Sequence, residues 1–428
     1  MMAEGKPVKP ASTAHSSETD FGARPNRALK IAWGILSIAV VTISVVQVWR
    51  FMTRDMIDFT VVYRAGERAL HGQPIYDFSD GLMLYKYAPI ISYLFAPLAL
   101  LPKSQSAFVF FLLSVASFVV CFRLAFRWVV PEGALGWASF VIVTLTLLST
   151  LRVIMNSLDF GQVQVFILVG MLYCSAAFAS GKWMRGGLVL SLVTLSKIVP
   201  GVLCVPWLLR RQWRPALATA VFSVALLVTP ALWLGPERAF GLIAQWWNLL
   251  QVSTNQSLIE RWTNQSLLSA LVRIFATNHY HVNWFGWEIS RVIFLTKIIL
   301  GLWLASIFWL GYRRDEKRFP SVRFAQALDL SYYLLFIIVA FPLAWRYHFT
   351  SMILPNMLIV THLLYHAKRD YFLWVLFVAS LFLSSVVNQE MMGSRLFEWF
   401  HIRSCLTLSV LLATMALLRV DRYYRTSN

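Results

Sequence analysis

The sequence predicts an all-α fold, a polytopic bundle of transmembrane helices, on three observations. The 428 residues are 58% hydrophobic and only 14% charged, with a mean hydropathy of +0.63. A soluble globular chain carries roughly a quarter charged residues. The apolar residues fall in runs of the length a membrane helix needs, about 20 residues. Finally, the basic residues behind the net charge of +18 stand mostly in short clusters between those runs, the pattern of the positive-inside rule. Attraction to anionic lipid headgroups is a second reading of the same charge. No DNA- or RNA-binding motif accompanies it, so a nucleic-acid partner is not expected.

Residues 1–28, polar and rich in Ser, Thr and Pro, are expected to form a disordered cytoplasmic tail. They are not a signal peptide, because the apolar run that follows is too long for one and no small-residue cleavage site closes it. Residues 29–428 are expected to form one transmembrane domain. Ten runs qualify as full spans, at about 30–52, 105–127, 135–153, 161–180, 215–234, 288–311, 324–343, 348–366, 370–387 and 399–418. Two more are interrupted: 88–101 by Pro89 and Pro97, and 187–209 by Lys197 and Pro200. Proline is poorly tolerated inside a helix, so each is expected to be a re-entrant hairpin or a pair of half-length helices lining a cavity.

With both termini inside, every cytoplasmic loop is basic, "RRDEKR" (313–318) most of all. That leaves two long external loops, about 53–104 and 235–287, longer than bundle connections require. The second carries an aromatic amphipathic stretch, "AFGLIAQWWNLLQ" (239–251), suited to the membrane interface.

The external segments gather the residues that could do chemistry. The first loop contains "DFTVVYRAGERAL" (58–70) and supplies Asp55, Asp58, Arg64, Glu67, Arg68 and Tyr87. "RVIMNSLDFGQVQ" (152–164) adds Arg152, Asp159 and Gln162, and a doubled Asn-Gln-Ser-Leu begins at Asn255 and again at Asn264. "AWRYHF" (344–349) adds Arg346 and His348. A carboxylate beside a cavity takes a proton from a hydroxyl, Arg and Lys hold phosphate, and aromatic and amide side chains bind sugars. The set suits a sugar carried on a lipid phosphate. Lys197, ionisable in mid-run, is a functional position by default. Cys121, Cys174, Cys204 and Cys405 lie scattered in apolar runs, so neither disulfides nor a zinc site is expected. His279 and His281 lack companion ligands, and no metal or other cofactor is expected.

"DFTVVYRAGERALHGQPIYD" followed by "YKYAPIISYLFAPLALLP" resembles the first loop of the polyprenyl-phosphate-mannose-dependent α-1,2-mannosyltransferases, membrane glycosyltransferases of the GT-C type. "FGQVQVFIL" (160–168) is similar to the family's Gly-Gln-x-Asn segment, and "GLVLSLVTLSKIVPGVLCVPWLLRRQWR" (187–214) to its Gly-rich half-helix, Lys-x-x-Pro and Arg-Arg-x-Trp. The Asn-Gln-Ser-Leu loop matches, and Trp345 and His348 match a Ser-Pro-x-Ser-Trp-x-His-His segment. The chain departs at Gln164 for Asn, at Phe341 for the Ser before Pro342, and at Tyr347 for the first His.

The resemblance implies a GT-C helical bundle of about ten spans and two broken hairpins in a bacterial plasma membrane. Its extracytoplasmic loops would form the active-site cavity. It implies transfer of a sugar, foremost mannose, from a polyprenyl phosphate to a lipid or glycan acceptor with inversion. Asp58 would be the base, with Asp55 and Asp159 as secondary candidates. Lys197 with Arg346 or His348 would hold the phosphate. Arg64, Tyr87, Gln162, Asn255 and Asn264 are the remaining substrate-binding candidates. Two alternatives stand beside it: another polyprenyl-phosphate sugar on the same machinery, and a lipid-linked-sugar flippase. A transporter would place broken helices in matching halves, whereas both broken segments here precede residue 210.

Overall fold

A computed structural model describes residues 27–53, 56–81, 83–132, 136–252 and 256–426. Asp55, Asn255 and the expected tail up to residue 26 lie outside the described residues. Every regular element among the described residues is a helix, apart from one isolated bridge between Ala276 and Trp287.

In chain order, α1 (Arg27–Thr53) leads into the amphipathic α2 (Ile57–Leu70), and α3 (Pro89–Ala99) precedes the long α4 (Lys103–Val129). Next come α5 (Trp137–Phe160), α6 (Gln164–Ala179), α7 (Trp183–Ser196) and the short α8 (Val205–Leu209). Then follow α9 (Trp213–Val228), α10 (Ala231–Leu234), α11 (Pro236–Val252), α12 (Gln256–Glu260) and α13 (Leu267–Phe275). The chain closes with α14 (Ile289–Tyr312), α15 (Val322–Ala340), α16 (Ile353–Tyr365), α17 (Tyr371–Leu381), α18 (Gln389–Ile402) and α19 (Cys405–Thr426).

Five helical segments among the described residues are long and apolar enough to cross a membrane: α4, α5, Trp213–Leu234, α14 and α15. A sixth is reached if Tyr371–Val386 and α18, bent by 101°, are counted as one. The predicted run 399–418 is divided between α18 and α19 by a turn at Arg403–Ser404. The run 348–366 opens as a 3₁₀ helix, Arg346–Met352, before α16. Every residue of α16 from Ile353 to Leu363 is buried. A helix apolar all round and enclosed by protein cannot be told from a lipid-facing one by hydropathy alone. By contrast, α4 buries Phe110, Phe111, Phe118 and Cys121 and exposes Leu112, Leu113 and Val119, as a helix between core and lipid should.

Of the two interrupted segments, 187–209 is broken as expected, whereas 88–101 forms one short continuous helix with Pro89 in its first turn and Pro97 inside it, rather than a pair of half-length helices. α3 spans 11 residues, about 16 Å at the α-helical rise. α7 ends at Ser196, Lys197 is extended (φ −150°, ψ 123°), and a 3₁₀ turn, Val199–Cys204, follows. Pro200 brings no N–H to continue the ladder.

Two close approaches fix the first loop. Gly66 on α2 lies where a Cβ would stand 2.9 Å from the Phe95 backbone carbonyl, so α2 and α3 pack backbone to backbone. Gly161, at φ +65°, turns α5 into α6, and a Cβ there would meet the Phe59 Cβ at 2.6 Å. Both the turn and the contact demand glycine.

At the end of the bundle that carries the basic loops, the Arg314 side chain is fully buried and bonds Asp329 and Asp421. Arg425 Nε donates to Asp421 Oδ2 (2.8 Å), and Arg210 pairs with Asp329 (3.2 Å) and Glu316 (3.7 Å). The network ties α8, α14, α15 and α19 together. Breaking a buried pair by removing one charge leaves the other uncompensated, at about 3–5 kcal/mol. Asp421→Asn should therefore lower unfolding stability in detergent by about 3–5 kcal/mol. Because the two residues share the network, the Asp421→Asn/Arg314→Met double variant should be less destabilised than the sum of the singles. Strict additivity would show that Asp421 and Arg314 do not act together.

Candidate active site

Four elements far apart in sequence converge on one polar cluster. α2 brings Asp58, the Gly161 turn brings Gln162 and Gln164, the break after α7 brings Lys197, and the 3₁₀ turn 346–352 brings Tyr347 and His348. Gln162 Nε2 donates to Asp58 Oδ2. Lys197 Nζ donates to Gln164 Oε1 (2.9 Å) and to His348 Nε2 (2.9 Å). It also lies 5.5 Å from the Phe341 ring centroid and 5.3 Å from that of Tyr347, within the range of cation–π attraction. Lys197 acts electrostatically on Asp58, as do Tyr87 and Tyr347, and the Tyr347 hydroxyl is hydrogen-bonded to Gln162.

The backbone of Trp345 orients the His348 ring: Nδ1 lies 3.1 Å from both the Trp345 N–H and the Trp345 carbonyl, which leaves Nε2 facing Lys197. Gln162, Gln164 and His348 are buried, whereas Asp58 and Lys197 are half-buried. The two ionisable groups thus form the accessible edge of a fixed polar wall. Burial raises the Asp58 pKa above its usual 3.8 and outweighs the lowering by the Gln162 bond and by Lys197. Burial stabilises the neutral carboxyl, so Asp58 is a better proton acceptor than an exposed aspartate.

The Asn-Gln-Ser-Leu loop holds this wall in place. Asn264 is fully buried, donates to the Leu258 and Pro342 carbonyls (3.2 and 3.0 Å), and accepts from the Ala344 and Ser266 N–H groups (3.0 and 3.1 Å). Gln265 N donates to the Ala344 carbonyl at 2.8 Å, and Ser266 Oγ donates to that of Pro342 at 3.1 Å. These bonds fix the 342–344 segment that leads into Tyr347 and His348. Read from sequence as a substrate ligand, Asn264 here has its hydrogen-bonding capacity filled by backbone.

Arg64 bonds Asp80 (2.6 Å), to which Arg68 is also bonded (2.7 Å), closing the loop after α2. Arg346 turns away from Lys197 toward His401, with 2.8 Å between Nη2 and Nε2. Asp159 is half-buried two residues before Gly161. Tyr87 lies at the cluster, its carbonyl accepting from Tyr76 Oη (2.7 Å), and the next residue, Ala88, donates to the Leu195 carbonyl (2.9 Å). Gln164, Phe341 and Tyr347 were legible in the sequence only as departures from a motif, yet all three touch Lys197.

One cavity lies at the far end of α4, walled by Trp128, Ser175, Trp207, Arg210, Asp329 and Tyr333. Its Asp329 is already engaged by Arg314 and Arg210, leaving no acid–base pair there.

The family model of glycosyltransferase family 87 matches residues 85–337, from Tyr85 to near the end of α15. The chain is 27% identical over 378 residues to the polyprenol-phosphate-mannose-dependent alpha-(1-2)-phosphatidylinositol mannoside mannosyltransferase of Mycolicibacterium smegmatis (strain ATCC 700084 / mc(2)155). That match covers 83% of this chain and 81% of the relative. It is 25% identical over 338 residues to the same organism's polyprenol-phosphate-mannose-dependent alpha-(1-2)-phosphatidylinositol pentamannoside mannosyltransferase, covering 76% and 75%. No solved structure matches. With more than half its length under the family model, the chain belongs to glycosyltransferase family 87.

Proposed function

We propose that this glycosyltransferase moves mannose from a polyprenyl phosphate to a lipid or glycan acceptor with inversion, on the outer face of a bacterial plasma membrane. The fold is then a GT-C bundle crossing the membrane about ten times, in which α3 and the broken 183–209 segment do not span. The convergence of Asp58, Gln162, Lys197 and His348 from four distant segments carries this reading. The names of the two relatives support the donor and point to a phosphatidylinositol mannoside acceptor.

The chemistry follows from the cluster. The acceptor hydroxyl oxygen attacks the sugar C1 from the side opposite the phosphate. Asp58 takes the hydroxyl proton as the new C1–O bond forms. The bond from C1 to the phosphate oxygen breaks, and its electron pair leaves with the polyprenyl phosphate. Lys197, oriented by Gln164 and His348, meets the charge gathering on that phosphate. Gln162 fixes the rotamer of Asp58. Asn264 acts through the segment it pins, as a positioning residue. Phe341 and Tyr347, which depart from the mannose-family pattern and flank Lys197, favour one second reading: the same displacement on a different polyprenyl-phosphate sugar.

Asp58→Asn keeps size and hydrogen bonding but cannot take the proton. It should lose about 10²–10⁴-fold in turnover while still binding donor, as measured with labelled polyprenyl-phosphate mannose. A loss of only a few-fold would remove Asp58 as the base. The base must be ionised to act and its pKa is raised. Activity should therefore fall with decreasing pH through a limb lying above 3.8, a limb that Asp58→Asn abolishes. An unchanged limb in the variant would assign it to another group.

Lys197→Met should weaken donor binding by about 10- to 100-fold, the worth of a hydrogen bond to a charged group, with the fold intact by thermal melting. Unchanged donor affinity would leave Lys197 a structural residue. For orientation, a cysteine at exposed Ser79 should react with an impermeant thiol reagent in intact cells, and one at exposed Lys317 should not. The reverse pattern would invert the topology.

A further inference from the structure

A second polar cluster lies beside the first, on the other side of the 346–352 turn. Arg346 Nη2 donates to His401 Nε2 at 2.8 Å, and His401 Nδ1 donates to the Phe397 carbonyl at 3.1 Å. With one nitrogen accepting and the other donating, His401 is neutral. Arg152 acts electrostatically on Arg346, and both Arg152 and Arg273 act on His401. Arg273, 1% exposed, is held by neutral partners: the Arg261 carbonyl (3.0 Å), Ser269 Oγ (2.6 Å) and Ser404 Oγ (2.7 Å). Among the described residues the acid bonded to these cations is Glu390, half exposed, which accepts from Arg152 Nη2 at 2.9 Å. The buried Nε of Arg152 has no hydrogen-bond partner there.

The network at the basic-loop end shows what a purely structural cluster looks like in this protein. There Arg210, Arg314 and Arg425 meet Asp329, Asp421 and Glu316, three charges against three. Here, among the described residues, Arg152 alone of the three guanidiniums is ion-paired, to Glu390, while Arg273 and Arg346 bond neutral partners. Guanidiniums gathered in a partly desolvated place with too little counter-charge repel one another, and an anion with several acceptor oxygens relieves that repulsion.

We propose that Arg152 and Arg346, backed by His401, form a second anion site, separate from Lys197, that takes the phosphate ester of a membrane lipid. The lipid character follows from α18. Bent 101° from the helix before it, α18 exposes Met391, Leu396 and Trp399, with Arg403 stacked 4.0 Å over Trp399. Apolar side chains beside a basic cluster suit an interfacial helix with acyl chains alongside. The site rests on the function proposed above, which puts lipid phosphates at this end of the bundle. Two lipids there carry one, the polyprenyl donor and a phosphoinositide acceptor.

The test is lipid binding to the full chain in nanodiscs, in a Lys197→Met background that silences the first cluster. The probes are phosphatidylinositol and decaprenyl phosphate, with diacylglycerol and decaprenol as phosphate-free controls. Without further change the protein should prefer a phosphorylated lipid to its control. The Arg152→Gln/Arg346→Gln variant should lose that preference by about 10- to 100-fold. Arg346→Lys should keep most of it, and Glu390→Gln, which removes the opposing charge, should increase it.

Loss for phosphatidylinositol assigns the site to the acceptor, and loss for decaprenyl phosphate assigns it to the donor. Equal binding of lipid and control, or an unchanged preference in the double Gln variant, overturns the site. The readout needs no sugar transfer. If the site binds as expected but the protein with Lys197 intact transfers no mannose, the proposed function fails and the site stands.

Discussion

Lys197 and the three kinds of partner around it are the constraint on which the rest of the active end depends. A primary amine in the middle of an apolar segment costs free energy unless it is hydrogen-bonded. It is met by an amide oxygen from Gln164, a ring nitrogen from His348, and the faces of Phe341 and Tyr347. To supply those partners, α7 has to stop at Ser196, the α5–α6 turn has to be tight enough for glycine alone, and the 342–348 segment has to be locked from outside by Asn264. Each of these local irregularities would be a defect in a plain helical bundle. Together they hold an amine and a carboxylate at the edge of one buried wall.

The two ends of the molecule treat charge differently, and the difference separates holding the fold from acting on substrate. Arg314 and its partners are balanced, buried and bonded to one another. Such a network fixes how α8, α14, α15 and α19 meet, and its removal tests stability. At the other end, charges are either left at a half-exposed edge, as with Asp58 and Lys197, or only partly compensated, as with Arg152 and Arg346, which have Glu390 between them. Groups in those states need a ligand to complete them, which fits an enzyme whose substrates combine a sugar hydroxyl with a lipid phosphate.

Much of this was legible in the sequence. Hydropathy and basic clusters predict the helical membrane bundle, and Lys197 and Pro200 mark the break that the structure places after α7, whereas Pro89 and Pro97 sit in the first and last turns of the continuous α3. Asp58, Gln162, Lys197 and His348 emerged as candidates, and the structure brings them together. Other features were hidden for physical reasons. The enclosure of α16 is not in its hydropathy, because lipid and protein are equally apolar neighbours. Asn264 reads as a polar loop residue, and only the backbone carbonyls facing it reveal a staple. The direction of Arg346 is set by His401, 55 residues further on, a pairing that no local pattern announces. Gln164 looks like a conservative replacement until its oxygen is found on Lys197.

The central claim is that one cluster holds the leaving phosphate at Lys197 while Asp58 faces the attacking hydroxyl. A cryo-EM structure of the Asp58→Asn protein with bound polyprenyl-phosphate mannose tests it most directly. The account predicts a phosphate oxygen within hydrogen-bond distance of Lys197 Nζ, and residue 58 across the sugar C1 from that phosphate. A phosphate bound away from Lys197, or a sugar whose face opposite the phosphate points away from residue 58, would contradict it.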